Sequence, residues 1–234
     1  MKSHIRRNNK EEAEKPFWIS FSDMMTALMV LFLVAMTVAL MAITNKYSDK
    51  EKKDAEREAE IAQLMERIEK ASKEFPGMIV KEHTIDFGTQ ALFDTNSNQL
   101  KSQQKKNLRA FVPHVLAIAR DPLGEKWLKR VLVDGFADQR GTYLNNLNLS
   151  MQRSERVLCV LFAKPEPDQT PFSNDDLLKI RELFLVGGSS FNALKSNMQD
   201  SRRIEFRLEF YERDDERRKP DHIPLDDGRY CPLD

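Results

Sequence analysis

Cysteine and histidine are scarce in this chain of 234 residues, which holds two of the first and four of the second. Neither Cys159 nor Cys231 has a neighbour at metal-ligand spacing, and His4, His83, His114 and His222 lie far apart with no nucleophile beside them. Metal centres and hydrolase constellations need such groups in clusters, so neither a metal, a cofactor nor an enzymatic function is expected. Net charge is missing as well. With 37 basic residues against 37 acidic ones and no zinc-finger spacing, nothing points to a nucleic-acid binder. No internal repeat is visible. No small-residue cleavage site follows the apolar N-terminal segment, which therefore reads as an uncleaved anchor.

What the chain does contain is a long apolar run, 24–43, broken only by Thr26 and Thr37. As a helix rising about 1.5 Å per residue, it matches the roughly 30 Å hydrocarbon thickness of a bilayer. Asp23 stands at its head, and Phe17, Trp18, Ile19 and Phe21 carry the apolar character upstream past it. A carboxylate at that depth is costly, and the usual reason for one is an ion or proton path. The alternative is that Ser22-Asp23 caps the helix at the interface. Pro16 suits a first helical turn and Trp18 an interfacial belt, so the entry falls near Phe17 and Asp23 about two turns inside, which favours the ion site. Ser20, Asp23, Ala27, Val30 and Val34 share one helical face, with Thr26 beside it; small neighbours permit close helix approach. Ser22 and Thr26 are thus secondary members of the candidate site.

Charge does not orient the span, because Lys2, Arg6, Arg7, Lys10 and Lys15 before it balance Lys46, Lys50, Lys52, Lys53 and Arg57 after it. The cysteines leave two readings open: a Cys159–Cys231 bridge formed in an oxidising compartment, or one buried thiol and one free tail thiol.

The length allows one membrane helix and one compact domain. The expected division is an N-terminal tail at 1–16, a membrane helix at 17–44, a charged linker helix at 45–76, a globular α/β domain at 77–211 and an irregular tail at 212–234. Residues 45–73 lack proline and glycine and favour a continuing helix. Ile61, Leu64, Met65 and Ile68 recur at i, i+3, i+4, i+7, a stripe that suits either a solvated spacer or a short helix pair that dimerises the chain. Strands are predicted at 84–88, 131–137, 183–186 and 202–210, and helices at 97–119, 148–162 and 174–181. Alternating strands and helices predict an α/β sandwich, with helices covering one face of a small mixed sheet.

Within that domain the segment 135–153 holds an acidic residue just past a strand end, Asp138, and an arginine on the next helix, Arg153. Asn146, Leu149 and Arg153 share a helical face. Side by side, the carboxylate and the guanidinium could clamp a zwitterion, one taking an ammonium and the other a carboxylate; equally, they could simply pair with each other.

Gly135, Asp138, Gly141, Asn146, Leu149, Ser150 and Arg153 match the G-x-(T)-D-x-x-G, N-x-x-LS-x-x-R pattern of OmpA-type peptidoglycan-binding domains, which the segment resembles. Ile85-Asp86-Phe87, Leu92-Phe93-Asp94 and Leu100-Lys101 resemble that domain's opening strand and loop, and Ser201-Arg202-Arg203-Ile204-Glu205 its closing strand. Ala137, Ser154, Ser201 and the stretch 187–190 depart from the usual residues. The resemblance implies that Asp138 and Arg153, aided by Asn146 and Leu149, hold the diaminopimelate of the cell-wall stem peptide. It also implies a cytoplasmic N-terminus and a periplasmic domain in a bacterial inner membrane. Residues 17–29 in turn resemble the ion-site helix of MotB-type stator B subunits. Phe21-Ser22-Asp23 stands where flagellar members have Tyr-Ala-Asp, a departure closer to the B subunits of Zorya anti-phage defence systems. That resemblance implies a homodimer of this chain inside a pentamer of A subunits, with Asp23 carrying the translocated proton or, alternatively, Na⁺. A flagellar stator subunit and a passive wall tether without ion transport are the competing readings.

Overall fold

The computed structural model describes residues 10–167, 169–217, 225 and 231–234. Residues 1–9, 168, 218–224 and 226–230 lie outside the described residues, and with them much of the two expected tails and both His4 and His222. The chain divides into two compact units, Met1–Arg57 and Glu58–Asp234.

In the first unit every described residue belongs to helix α1 (Lys10–Ser72), so the helix starts well before the expected entry at 17. The reason is local: 10–15 reads Lys-Glu-Glu-Ala-Glu-Lys, strong helix formers with carboxylates where the helix dipole favours them. Asp23 consequently lies more than three turns past the first residue. Capping needs a free N-terminal N–H, and none exists at that depth, so the capping reading of Ser22-Asp23 is corrected. Side chains from Trp18 to Thr44 are all exposed on the isolated chain, and this is the one described helix long and apolar enough to cross a membrane. Its threonine hydroxyls are satisfied within the helix: Thr26, Thr37 and Thr44 donate to the carbonyls of Ser22, Val34 and Leu40 at 2.7, 2.8 and 2.9 Å.

In the second unit five strands form one mixed sheet: β1 (Ile79–Lys81), β2 (Thr84–Asp86), β3 (Leu128–Gly135), β4 (Phe184–Gly188) and β5 (Ile204–Phe210). Their order is β1-β2-β5-β3-β4, antiparallel throughout except for the parallel pair β3/β4. Helices α2 (Ser102–Ala119), α3 (Pro122–Trp127), α4 (Tyr143–Phe162), α5 (Asn174–Leu183) and α6 (Met198–Ser201) complete it. The architecture is therefore α/β, as the alternation of elements predicts. Strand β5 illustrates why: Ile204, Phe206 and Leu208 are buried while Glu205, Arg207 and Glu209 face away, a period of two that covers one sheet face and leaves the other polar. The buried face packs Phe206 against the rings of Phe87 and Phe184 at 4.5 and 5.5 Å, and Phe87 meets Phe111 of α2 at 5.5 Å.

The linker stripe is a second correction. Ile61, Leu64, Met65 and Ile68 are neither a solvated spacer nor a free dimer seam; all four are buried in the domain's own core. Glu60 accepts from Lys126 and Trp127, and Arg67 pairs with Asp121 at 3.0 Å, which fixes the register of this helical segment. The globular unit thus begins near Glu58 rather than at 77. Because Leu64 is 1% exposed, Leu64→Ala is expected to lower the unfolding free energy of this unit by about 2–4 kcal/mol. Urea titration of the full chain would read this, and a change under about 0.5 kcal/mol, typical of surface sites, would mean the segment is undocked in solution.

Candidate functional site

The Asp138 site is assembled where β3, α4 and β4 meet. Gly135 ends β3 against α4: a Cβ there would stand 2.0 Å from the Ser150 carbonyl, so only glycine lets helix and strand approach this closely. The chain then runs through Phe136–Asp138 and turns at Gly141, whose φ of +94° is a conformation side chains disfavour. Thr142 caps α4, accepting from the backbone N–H of Asn145 at 3.4 Å, which starts the helix at Tyr143 rather than at the expected 148. Ser190 closes the floor. Its N–H donates to Ser150 Oγ at 3.1 Å, its Oγ donates to the Tyr143 carbonyl at 3.1 Å, and its carbonyl accepts from Ala137 N at 2.7 Å.

Asp138 is 5% exposed, and its ion partners are Arg140 and Arg202, at 2.6 and 3.0 Å. The Asp138–Arg153 pair, one of the two readings their spacing leaves open, is absent from the ion pairs of the described residues. The Arg140 guanidinium, and after it the Arg140 backbone N–H and Arg202, hold the Asp138 carboxyl well below the usual carboxylate range although burial pushes the other way. A carboxylate depressed in the folded state contributes stability that is fully present above its unfolded value near 4 and is lost as pH falls through the folded value. Wild type should therefore lose stability more steeply than Asp138→Asn below about pH 4. Urea midpoints measured down to about pH 2.5 test this, and parallel curves would sink it.

Arg153 is wholly buried. It donates to the carbonyls of Phe136, Ser97 and Asp94 at 2.7, 3.0 and 3.3 Å, and its guanidinium lies 5.0 Å from the Phe93 ring centre. Burial first, and then the Arg202 charge, push it down to about 10 against the pull of Asp138, so it stays a cation at neutral pH. Those carbonyls also explain why α2 starts at Ser102 and not at 97: residues 94–97 serve Arg153, and Asn96 takes a positive φ of 55°. Asn146, also buried, donates from Nδ2 to the Arg140 carbonyl at 2.8 Å and so latches the 138–141 turn. Leu149 is half-buried on the same helix. The structure thus gathers Asp138, Asn146 and Arg153 at one end of the sheet, and adds Arg140 and Arg202. Arg202 belongs to the closing-strand pattern, which carries no hint of this contact; Arg140 is marked only by lying between Asp138 and Gly141.

At the far end of α4 the Cys159–Cys231 question resolves in favour of a disulfide, with Cα atoms 5.2 Å apart and 72 residues between them in sequence. Arg156, nearly buried, donates to the Leu233 carbonyl at 3.1 Å and pairs with Asp234. The last four residues are thereby fastened to α4, while the intervening tail lies mostly outside the described residues. Among the described residues no cluster of His, Cys, Asp and Glu could hold a metal.

A membrane-length helix with a carboxylate inside it is thus carried on one chain with an α/β unit that gathers Asp138, Asn146 and Arg153. Residues 2–56 match the family model described as membrane MotB of the proton-channel complex MotA/MotB. Over 235 aligned residues, 98% of this chain and 96% of the relative, the sequence is 40% identical to the Zorya protein ZorB of Escherichia coli O139:H28 (strain E24377A / ETEC). The chain belongs to the ZorB family. Among solved structures it is similar to the OmpA-like domain of FopA1 from Francisella tularensis subsp. tularensis SCHU S4, at 17% identity and TM-score 0.35, covering 58% of this chain and 82% of that one. It is also similar to the peptidoglycan-associated lipoprotein from Burkholderia pseudomallei, at 14% identity and TM-score 0.33, covering 56% and 91%.

Proposed function

We propose that this protein is the wall-anchored, ion-conducting subunit of a stator-type motor serving Zorya anti-phage defence, with Asp23 as the carrier of the translocated proton. The observation that carries the reading is Asp23 inside a helix, beyond the reach of any free backbone N–H, with an apolar run on its C-terminal side. There an ionised carboxylate costs about 2.5–3.5 kcal/mol at mid-span and less near the ends, so a side chain without a task would be a standing liability. Protonation removes that charge and changes which helix packing is favoured. Alternate access from two sides then turns loading and release at Asp23 into steps of a surrounding ring of five A subunits about a homodimer of this chain.

A motor needs a fixed part. The globular unit supplies it by gripping peptidoglycan, with Asp138 taking the ammonium of the stem-peptide diaminopimelate, and Asn146 and Arg153 holding the loops that present it. A periplasmic setting for this unit is supported by the Cys159–Cys231 disulfide, which persists in oxidising compartments; the N-terminus is then cytoplasmic. The near full-length likeness to a Zorya protein favours the defence role over the flagellar one. Proton uptake into vesicles holding this chain and its A subunit, followed with a pH-sensitive dye under an imposed potential, tests the reading. Flux that is equal for wild type and Asp23→Asn would leave only the passive tether.

A further inference from the structure

The Asp138 carboxylate is already full. Its Oδ1 accepts from the backbone N–H and the Nε of Arg140 at 3.0 and 3.2 Å; its Oδ2 accepts from Nε and Nη2 of Arg140 at 3.2 and 2.6 Å and from Nη1 of Arg202 at 3.0 Å. A carboxylate offers about four lone-pair positions, so an arriving ammonium must displace one of these donors. The two guanidiniums are not equally free to leave. The Arg202 side chain is 12% exposed and also donates to the carbonyls of Phe93 and Met198 at 2.8 and 3.1 Å. The Arg140 side chain is 49% exposed, and its other contact is to Thr95 Oγ1 at 2.9 Å. Its backbone stays put without it, since the N–H still donates to Asp138 and the carbonyl still accepts from Asn146.

We propose that the Arg140 guanidinium is a built-in competitor for the ligand, standing where the ammonium of the wall peptide binds and swinging into solvent as that ammonium arrives. The proposal rests on the peptidoglycan reading above and adds a residue that sets its affinity. It also narrows the ligand. With Arg202 and buried Arg153 still beside the one carboxylate once Arg140 has left, the site keeps an excess of positive charge, which disfavours a bare amine. A zwitterion that brings its own carboxylate is accepted. The pair joins a half-exposed guanidinium to a buried carboxylate, and the arriving ammonium replaces the attraction given up, so removing the competitor should change affinity by only about two- to fivefold.

The test is calorimetric titration of the full chain in detergent with a soluble disaccharide tetrapeptide carrying meso-diaminopimelate, backed by co-sedimentation with isolated sacculi. Arg140→Ala is expected to bind about two- to fivefold more tightly than wild type, and Arg140→Lys, which keeps charge but loses the planar fork, to fall between them. Asp138→Asn is expected to bind neither probe. If wild type binds, Asp138→Asn does not, and Arg140→Ala is equal or weaker with an unchanged thermal midpoint, the competitor role is overturned while wall binding stands. Should the alanine variant unfold, a lysine variant no tighter than wild type overturns it equally. If neither wild type nor Arg140→Ala binds either probe, both readings fall together.

Discussion

Asp23→Asn is expected to reduce proton flux to the level of vesicles lacking the protein, and to abolish protection against phage, while membrane insertion and co-sedimentation with sacculi stay at wild-type levels. The amide has nearly the carboxylate's shape and no proton to exchange near neutral pH. It also removes an ionisable group from the apolar segment, so insertion has no reason to worsen. The substitution separates the readings cleanly, because asparagine caps helices about as well as aspartate. Loss of function therefore cannot be a lost cap, in accord with a helix that begins at Lys10. Asp23→Glu keeps the titratable group one methylene further out and is expected to retain part of the flux. A chain in which Asn and Glu are both silent in flux and defence would be a tether. A chain in which both are equally dead, with normal assembly, would mean that shape at this position matters and proton exchange has not been isolated.

How far the residues announce this arrangement depends on how local the determining forces are. Strand β5 is legible because Ile204, Phe206 and Leu208 alternate with charged residues, and a period of two marks a strand with one face in the core. The stripe Ile61, Leu64, Met65 and Ile68 marks one apolar helix face, but periodicity does not say whether it is buried or against what, and the structure places it in the domain's own core. Short elements escape for want of signal: β1 has three residues and α3 six, too few for any period to emerge. At the site, Asp138, Asn146 and Arg153 are marked by motif spacing, yet their partners are not. Arg202 reaches Asp138 from 64 residues away, and Arg153 takes its carbonyls from loops 17 to 59 residues distant. Such pairings are products of the assembled sheet. The Cys159–Cys231 bridge is of the same kind, since two cysteines 72 residues apart are compatible with a bond but do not require one.

Arg153→Ala is expected to cost about 3–5 kcal/mol of stability in the globular unit, the scale of losing a buried side chain that strands several hydrogen-bond acceptors at about 1–3 kcal/mol each. At about 2–4 °C per kcal/mol for a unit of this size, the midpoint of thermal unfolding should fall by roughly 10 °C. The cause is the set of carbonyls left behind. Those of Phe136, Ser97 and Asp94 would lose their donor, and the space under the Phe93 ring would empty. A buried acceptor without a partner costs about 1–3 kcal/mol, and the three are coupled through one side chain, so the sum is not additive. Asp138→Asn is the necessary counterpart. It sits among the same residues but leaves Arg153 and its carbonyls in place; at neutral pH it forfeits the pairs with Arg140 and Arg202, so it too should lower the midpoint while removing wall binding. Lost sacculus binding in Arg153→Ala would by itself be ambiguous between contact and collapse. The two variants together divide recognition from support: if Arg153→Ala binds no sacculi yet melts within about 2 °C of wild type, less than the shift expected for 1 kcal/mol, Arg153 contacts the ligand directly and the loops are held by other groups.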